Sequence, residues 1–138
     1  VIAYLDSSVV LRVVLGQRGR LKEWMDIEEG VASAMVGVEC FRTLDRLRLS
    51  RRLDDERLVA RREAVYRMMG EISVVEPGRA VLDRASMPLP APLGTLDAIH
   101  LATALLWRER ESAEIVMATH DGALAAAARA SGLPVVGV

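Results

Sequence analysis

Short β-branched runs alternate with longer helical stretches along the whole chain, and that alternation limits the fold more than any other feature of the sequence. Val1 to Leu5 reads as a strand, and Ser7 to Leu15 as a helix opening on a serine cap. Arg20 to Glu28 reads as a short second helix ahead of Gly30. Val31 to Ala34 is a short strand running into a helix from about Val36 to Leu49. Asp54 to Gly70 carries acids in its first turn and an arginine near its end, the distribution a helix macrodipole favours. A strand from Ile72 to Glu76 stops at Pro77-Gly78, Arg79 to Ser86 is helical, and the stretch holding Pro88, Pro90 and Pro92 is loop. Leu93 to Arg110 makes a long, mostly apolar helix. Ile115 to Ala118 is a strand, Gly122 to Ala130 a helix ended by Gly132, and Pro134 to Val136 a last edge strand. Strands separated by helices of this length run parallel, with helices covering both faces of the sheet. The expectation is an α/β fold: a three-layer α/β/α sandwich with a five-stranded, mainly parallel sheet, built by residues 1–138 as a single domain.

Composition supports a packed core. Of 138 residues, 51% are hydrophobic and the net charge is −1, so disorder is excluded and no metal or disulfide staple is needed for folding. The one cysteine, Cys40, has no partner for an internal bridge, which fits a reducing, cytoplasmic setting. No apolar run reaches the ~20 residues of a membrane span, and Val1 opens directly on a strand-like run, so neither a membrane anchor nor a signal peptide is expected. The near-neutral total argues against a uniformly basic nucleic-acid coat. Placement qualifies that: between Arg42 and Arg67 stand nine arginines and five acids, a local +4. Such a run is either a solvated face laced with ion pairs or a surface that meets phosphate or a partner. Aromatic residues are only 4%, too few for a base-stacking platform.

In open parallel sheets, ligands lie beyond the carboxyl ends of the strands, where strand order reverses. Asp6 closes the first strand and Asp121 follows the fourth through Thr119 and His120. Each is also a plausible helix cap. Asp97 is harder to explain structurally. It sits in LGTLDAIHLATALLW, apolar on nearly every face, with Leu101, Ala104 and Leu105 on its own side, so burial is expected. A buried carboxylate is costly unless paired, hydrogen-bonded or bound to metal. Glu39 lies at the margin of the Val36, Cys40, Leu44, Leu47 stripe, either exposed beside Arg42 and Thr43 or turned toward the other acids. Four acids gathered together repel unless a cation joins them or their pKa values rise, and an all-oxygen set suits Mg²⁺ or Mn²⁺ rather than zinc. Arg42, one turn past Glu39, steadies that carboxylate or meets a phosphate. His100 reads as a packing histidine and His120 carries no role. Val10, Leu11, Val14 and Leu15, with Trp24 and Met25, read as core. No G-x-G-x-x-G follows the first strand, so dinucleotide binding lacks its phosphate cradle.

YLDSSVV, ECFRTL, TLDAIHLATAL and ATHDGAL, in this order and spacing across the chain, closely resemble the PIN-domain family and, within it, the VapC toxins of bacterial toxin–antitoxin pairs. The resemblance implies a PIN-like sandwich and a Mg²⁺- or Mn²⁺-dependent endoribonuclease, held inactive by a cognate VapB-type antitoxin and forming a homodimer. It places the family's acidic quartet on Asp6, Glu39, Asp97 and Asp121, with Thr119 and one of Ser7 and Ser8, Ser8 being favoured, in support. Asp6 and Asp97 are then the direct metal ligands, and Glu39 and Asp121 act directly or through water. Whether one or two ions act stays open. The alternative is a PIN-fold protein-binding domain without catalysis.

Overall fold

β-Branched and small apolar residues at alternating positions give strands whose two faces enter different cores. The computed structural model describes residues 1–138. It contains β1 (Ile2–Leu5), α1 (Ser7–Val14), a 3₁₀ turn (Lys22–Asp26), β2 (Glu29–Ser33), α2 (Met35–Leu49), α3 (Asp55–Glu71), β3 (Ser73–Val75), α4 (Arg79–Ala85), α5 (Thr95–Glu111), β4 (Val116–Ala118), α6 (Gly122–Ala130) and β5 (Val135–Val136). The sheet runs β3-β2-β1-β4-β5, and all four pairings are parallel. The expected elements are present, with one difference of type. Arg20 to Glu28 forms the 3₁₀ turn Lys22–Asp26, which buries none of its five residues, so no apolar face holds it as an α-helix.

The period-two pattern sorts side chains between two layers. Ala3 and Leu5 of β1, Ala32 of β2 and Ala118 of β4 pack with Val9, Val10 and Val14 of α1, Val36, Cys40 and Leu44 of α2, and Val65 of α3. Tyr4, Val31 and Met117 point to the opposite face, against Leu101, Ala104 and Leu105 of α5 and Leu124, Ala127 and Ala128 of α6. Val10 and Val14 are therefore core, whereas Met25 stands 89% exposed. No helix is long and apolar enough to cross a membrane.

Two features of this layout position a site. Strand order reverses at β1, whose neighbours β2 and β4 lead to opposite edges. The crevice beyond the carboxyl ends of β1 and β4 is the topological switch point, where this class of sheet binds ligands. α5 begins there without a side-chain cap, so the donors of its first turn are left to water or a ligand.

Candidate active site

Asp6 follows β1 and is only 3% exposed. Its Oδ1 accepts the Ser7 amide at 2.8 Å, and its Oδ2 accepts the hydroxyls of Ser8 and Thr119, both at 2.8 Å. Three donors offset the desolvation of this carboxylate and fix its orientation. The backbone joins in: the Asp6 amide donates to the Ala118 carbonyl, tying β1 to β4 at the crevice. Thr119 Oγ1 also accepts the Asp121 amide at 3.0 Å, and Asp121 Oδ1 accepts the Leu124 amide at 2.9 Å as the α6 cap. Asp121 thus caps a helix and stands beside the Asp6–Thr119 link, with Oδ2 left without a donor from the chain.

Asp97 lies in the first turn of α5. The body of that helix is buried as expected, from Ala98 to Leu105 apart from Ile99, but Asp97 itself is half-buried. The reason is its place at the helix start, where the crevice opens to solvent. No hydrogen bond from the chain reaches it. Burial, followed by the negative fields of Asp121 and Asp6, pushes its carboxyl above the usual carboxylate range; Glu39 adds to this and His100 opposes it. The structure therefore places Asp97 within the field of the other three acids.

Glu39 is not a free surface glutamate. Its Oε1 meets His100 Nε2 at 2.5 Å and its Oε2 accepts the Ser7 hydroxyl at 3.1 Å, with 21% of the side chain exposed. Arg42 does not steady it; that guanidinium turns to Asp45 at 2.6 Å, on the next turn of its own helix. His100 is fully buried, as a packing histidine would be, yet both ring nitrogens are engaged. Nε2 lies on the Glu39 carboxylate, and Nδ1 lies 2.7 Å from the Tyr4 hydroxyl. The Ser33 amide in turn donates to Tyr4 Oη at 3.2 Å. Burial lowers the His100 pKa, but the Glu39 hydrogen bond and the fields of Glu39, Asp6 and Asp97 raise it on balance. Burial likewise raises the Tyr4 phenol far above its ordinary range, so it acts as a neutral hydroxyl. Desolvation first, then Glu39 and Asp6, pushes the Cys40 thiol up to about 12, which rules it out as a nucleophile.

The chain Ser33–Tyr4–His100–Glu39 was not evident from motifs. Its signals were a histidine one turn past Asp97 and a tyrosine on the α5-facing side of β1. Ser7, beside the expected Ser8, is a second supporting hydroxyl. His120 turns away: Nδ1 donates to the Gly137 carbonyl at 2.8 Å.

No three His, Cys, Asp or Glu side chains are already drawn together as a closed ligand set. The donor chemistry nevertheless fits a hard divalent cation. The acids are all oxygen ligands with surplus negative charge, and Asp97 is half-buried with no internal donor.

Residues 3–130 match the PIN domain family model, and the chain belongs to that family. It is 30% identical over 137 residues to Ribonuclease VapC46 of Mycobacterium tuberculosis, covering 96% of this chain and 95% of that protein. Its fold is also similar to a chain of a toxin-antitoxin complex from Klebsiella pneumoniae, with a TM-score of 0.67 and 16% identity over 97% of this chain and 95% of that one.

Proposed function

We propose that this protein is a VapC-type ribonuclease toxin that cleaves RNA at the carboxylate crevice with Mg²⁺ or Mn²⁺ and is neutralised by a small VapB-type antitoxin. The observation that carries the reading is Asp97, half-buried without a hydrogen-bond donor and under the fields of Asp6, Asp121 and Glu39. Such an arrangement costs free energy in the empty protein and is relieved by a cation.

Asp6 and Asp97 are assigned as direct ligands, with Asp121 Oδ2 and Glu39 joining directly or through water. A divalent cation bound there supplies a Lewis acid to the attacked phosphate and lowers the pKa of water. Ser8 and Thr119 hold Asp6 in one rotamer through their hydroxyls. Glu39, held between His100 and Ser7, is assigned to take a proton from an attacking water, with His100 steadying the carboxylate. An antitoxin partner agrees with the assembly to which the Klebsiella fold neighbour belongs. We further assign the activity to one PIN domain spanning 1–138, acting as a homodimer.

The test is cleavage of labelled RNA by the purified chain with Mn²⁺, with EDTA, and as the Asp6→Asn and Asp97→Asn variants. Cleavage is expected only for the wild type with metal. Wild-type rates in either variant, or in EDTA, would overturn the assignment.

A further inference from the structure

Ser7 and Glu39 belong to the carboxylate site, yet both also line a groove of about 490 Å³ that leads out of it along α2. Glu39, Arg42 and Arg46 form one stripe of that helix, three and seven residues apart, so the groove carries two guanidiniums at increasing distance from the acids. Val38 and Leu96 also line it, 55% and 45% exposed, and give it an apolar wall.

The charges along the groove do not balance. Asp45 serves both Arg42, at 2.6 Å, and Arg48, at 2.8 Å. Arg46 reaches only the Thr43 hydroxyl, at 3.0 Å. Two arginines thus share one carboxylate and Arg46 pairs with none, and surface pairs of this kind exchange readily for a phosphate. Arg42 and Arg46 are separated by about 6 Å along the helix axis, close to the step between successive phosphates of an extended strand. An acidic centre repels a phosphodiester chain, so its substrate needs cations near enough to hold the flank and too far to neutralise the acids. Neither guanidinium contacts Glu39 or Asp6, and both lie on the path out from them.

We infer that this groove holds the single-stranded RNA segment flanking the scissile phosphate, with Arg42 and Arg46 on consecutive phosphates and Val38 and Leu96 against its bases. The inference rests on the ribonuclease reading above. A single strand can lay phosphates on one wall and base faces on apolar side chains. A duplex turns its bases inward and cannot. Apolar contact of this kind favours no particular base, so the groove grips an unpaired flank without reading its sequence.

The test uses the full chain and a short fluorescein-labelled unstructured RNA, titrated by anisotropy in EDTA over a range of NaCl concentrations. A hairpin of equal length is run beside it, and cleavage of both is followed with Mn²⁺. Arg42→Gln and Arg46→Gln, singly and together, are compared with Arg110→Gln at the far end of α5. Circular dichroism melting checks that the exposed substitutions leave the fold intact. Each groove variant is expected to lower the slope of log affinity against log salt by about 0.7, and the double variant to weaken binding roughly tenfold. Arg110→Gln should change neither. If wild type binds and cuts while the double variant keeps its affinity and slope, the groove serves something else, such as a protein partner, and the inference falls while the nuclease stands. An equal loss in Arg110→Gln, or a hairpin bound as tightly as the single strand, also overturns it. A wild type that neither binds nor cuts overturns both readings.

Discussion

Asp97 is poor for the empty fold, and on the proposed reading it is a residue the site needs. Its carboxyl is raised by burial and then by three like charges, so ionisation there opposes folding. A group whose folded pKa exceeds its unfolded value near 3.9 favours the fold at low pH and loses that contribution as pH rises through the folded pKa. Asp97→Asn removes the unfavourable charge at similar shape. In chelator at neutral pH its melting temperature is expected to equal or exceed that of the wild type, while RNA cleavage is lost. A clear drop in melting temperature would show instead that Asp97 is a structural residue. Tyr4 is the opposite case. Its buried hydroxyl links the Ser33 amide to His100, so Tyr4→Phe leaves two buried polar groups without their partner. We expect a cost of about 1–3 kcal/mol in urea unfolding.

At the level of elements, what matters is how neighbours are tied. α4 is short and buries only Val81, and Arg84 joins it to α5 through a two-bonded pair with Glu109, at 2.9 and 3.1 Å. The Arg84 hydrogen bonds hold the Glu109 carboxyl below its ordinary range. That contribution is present above the unfolded glutamate value near 4.3 and is lost as pH falls through the depressed folded pKa. Glu109→Gln should therefore lower stability at neutral pH, by under about 1 kcal/mol for so exposed a pair. Melts below the folded pKa should show no difference. The C-terminal segment is held more tightly. Gly137 has φ +102°, and a Cβ there would lie 2.4 Å from the Thr119 carbonyl oxygen. Gly137→Ala is expected to push the segment off β4, lowering the melting temperature and, through Thr119 and Asp6, the cleavage rate. An unchanged rate in a destabilised variant would separate the strand edge from the site. Within the nine-arginine stretch, Arg42 and Arg48 share Asp45 and Arg57 pairs with Asp54, while Arg61 reaches the Val14 carbonyl and Arg62 lies over the Phe41 ring.

For the whole molecule, a cation that binds the folded state alone stabilises it by mass action, by about 2.7 kcal/mol at a hundred times its dissociation constant. Adding Mn²⁺ should therefore raise the melting temperature of the wild type and leave Asp97→Asn nearly unchanged, a readout that needs no RNA. Equal shifts in both would place the ion elsewhere. Much of this architecture was legible beforehand, because element type follows from local pattern: period-two runs such as IAYL, the acidic first turn after Asp54, the cap at Asp121 and the apolar length of α5 act within a few residues. The four acids were legible as candidates through their placement at strand ends and in an apolar helix. Their partners were not. Ser7 to Glu39, Tyr4 to His100 and Thr119 to Asp6 span 32, 96 and 113 residues, and no local pattern encodes which hydroxyl meets which acid. The sequence by itself determined the elements, their parallel pairing and the kind of ligand atoms available, since these depend on short-range sterics and burial. Tertiary structure alone decided that Glu39 faces His100 rather than Arg42, and that Asp97 stands half-open at a helix start. Both outcomes depend on how α2 and α5 meet across the switch point, where long-range packing sets the distances on which electrostatics and hydrogen bonding act.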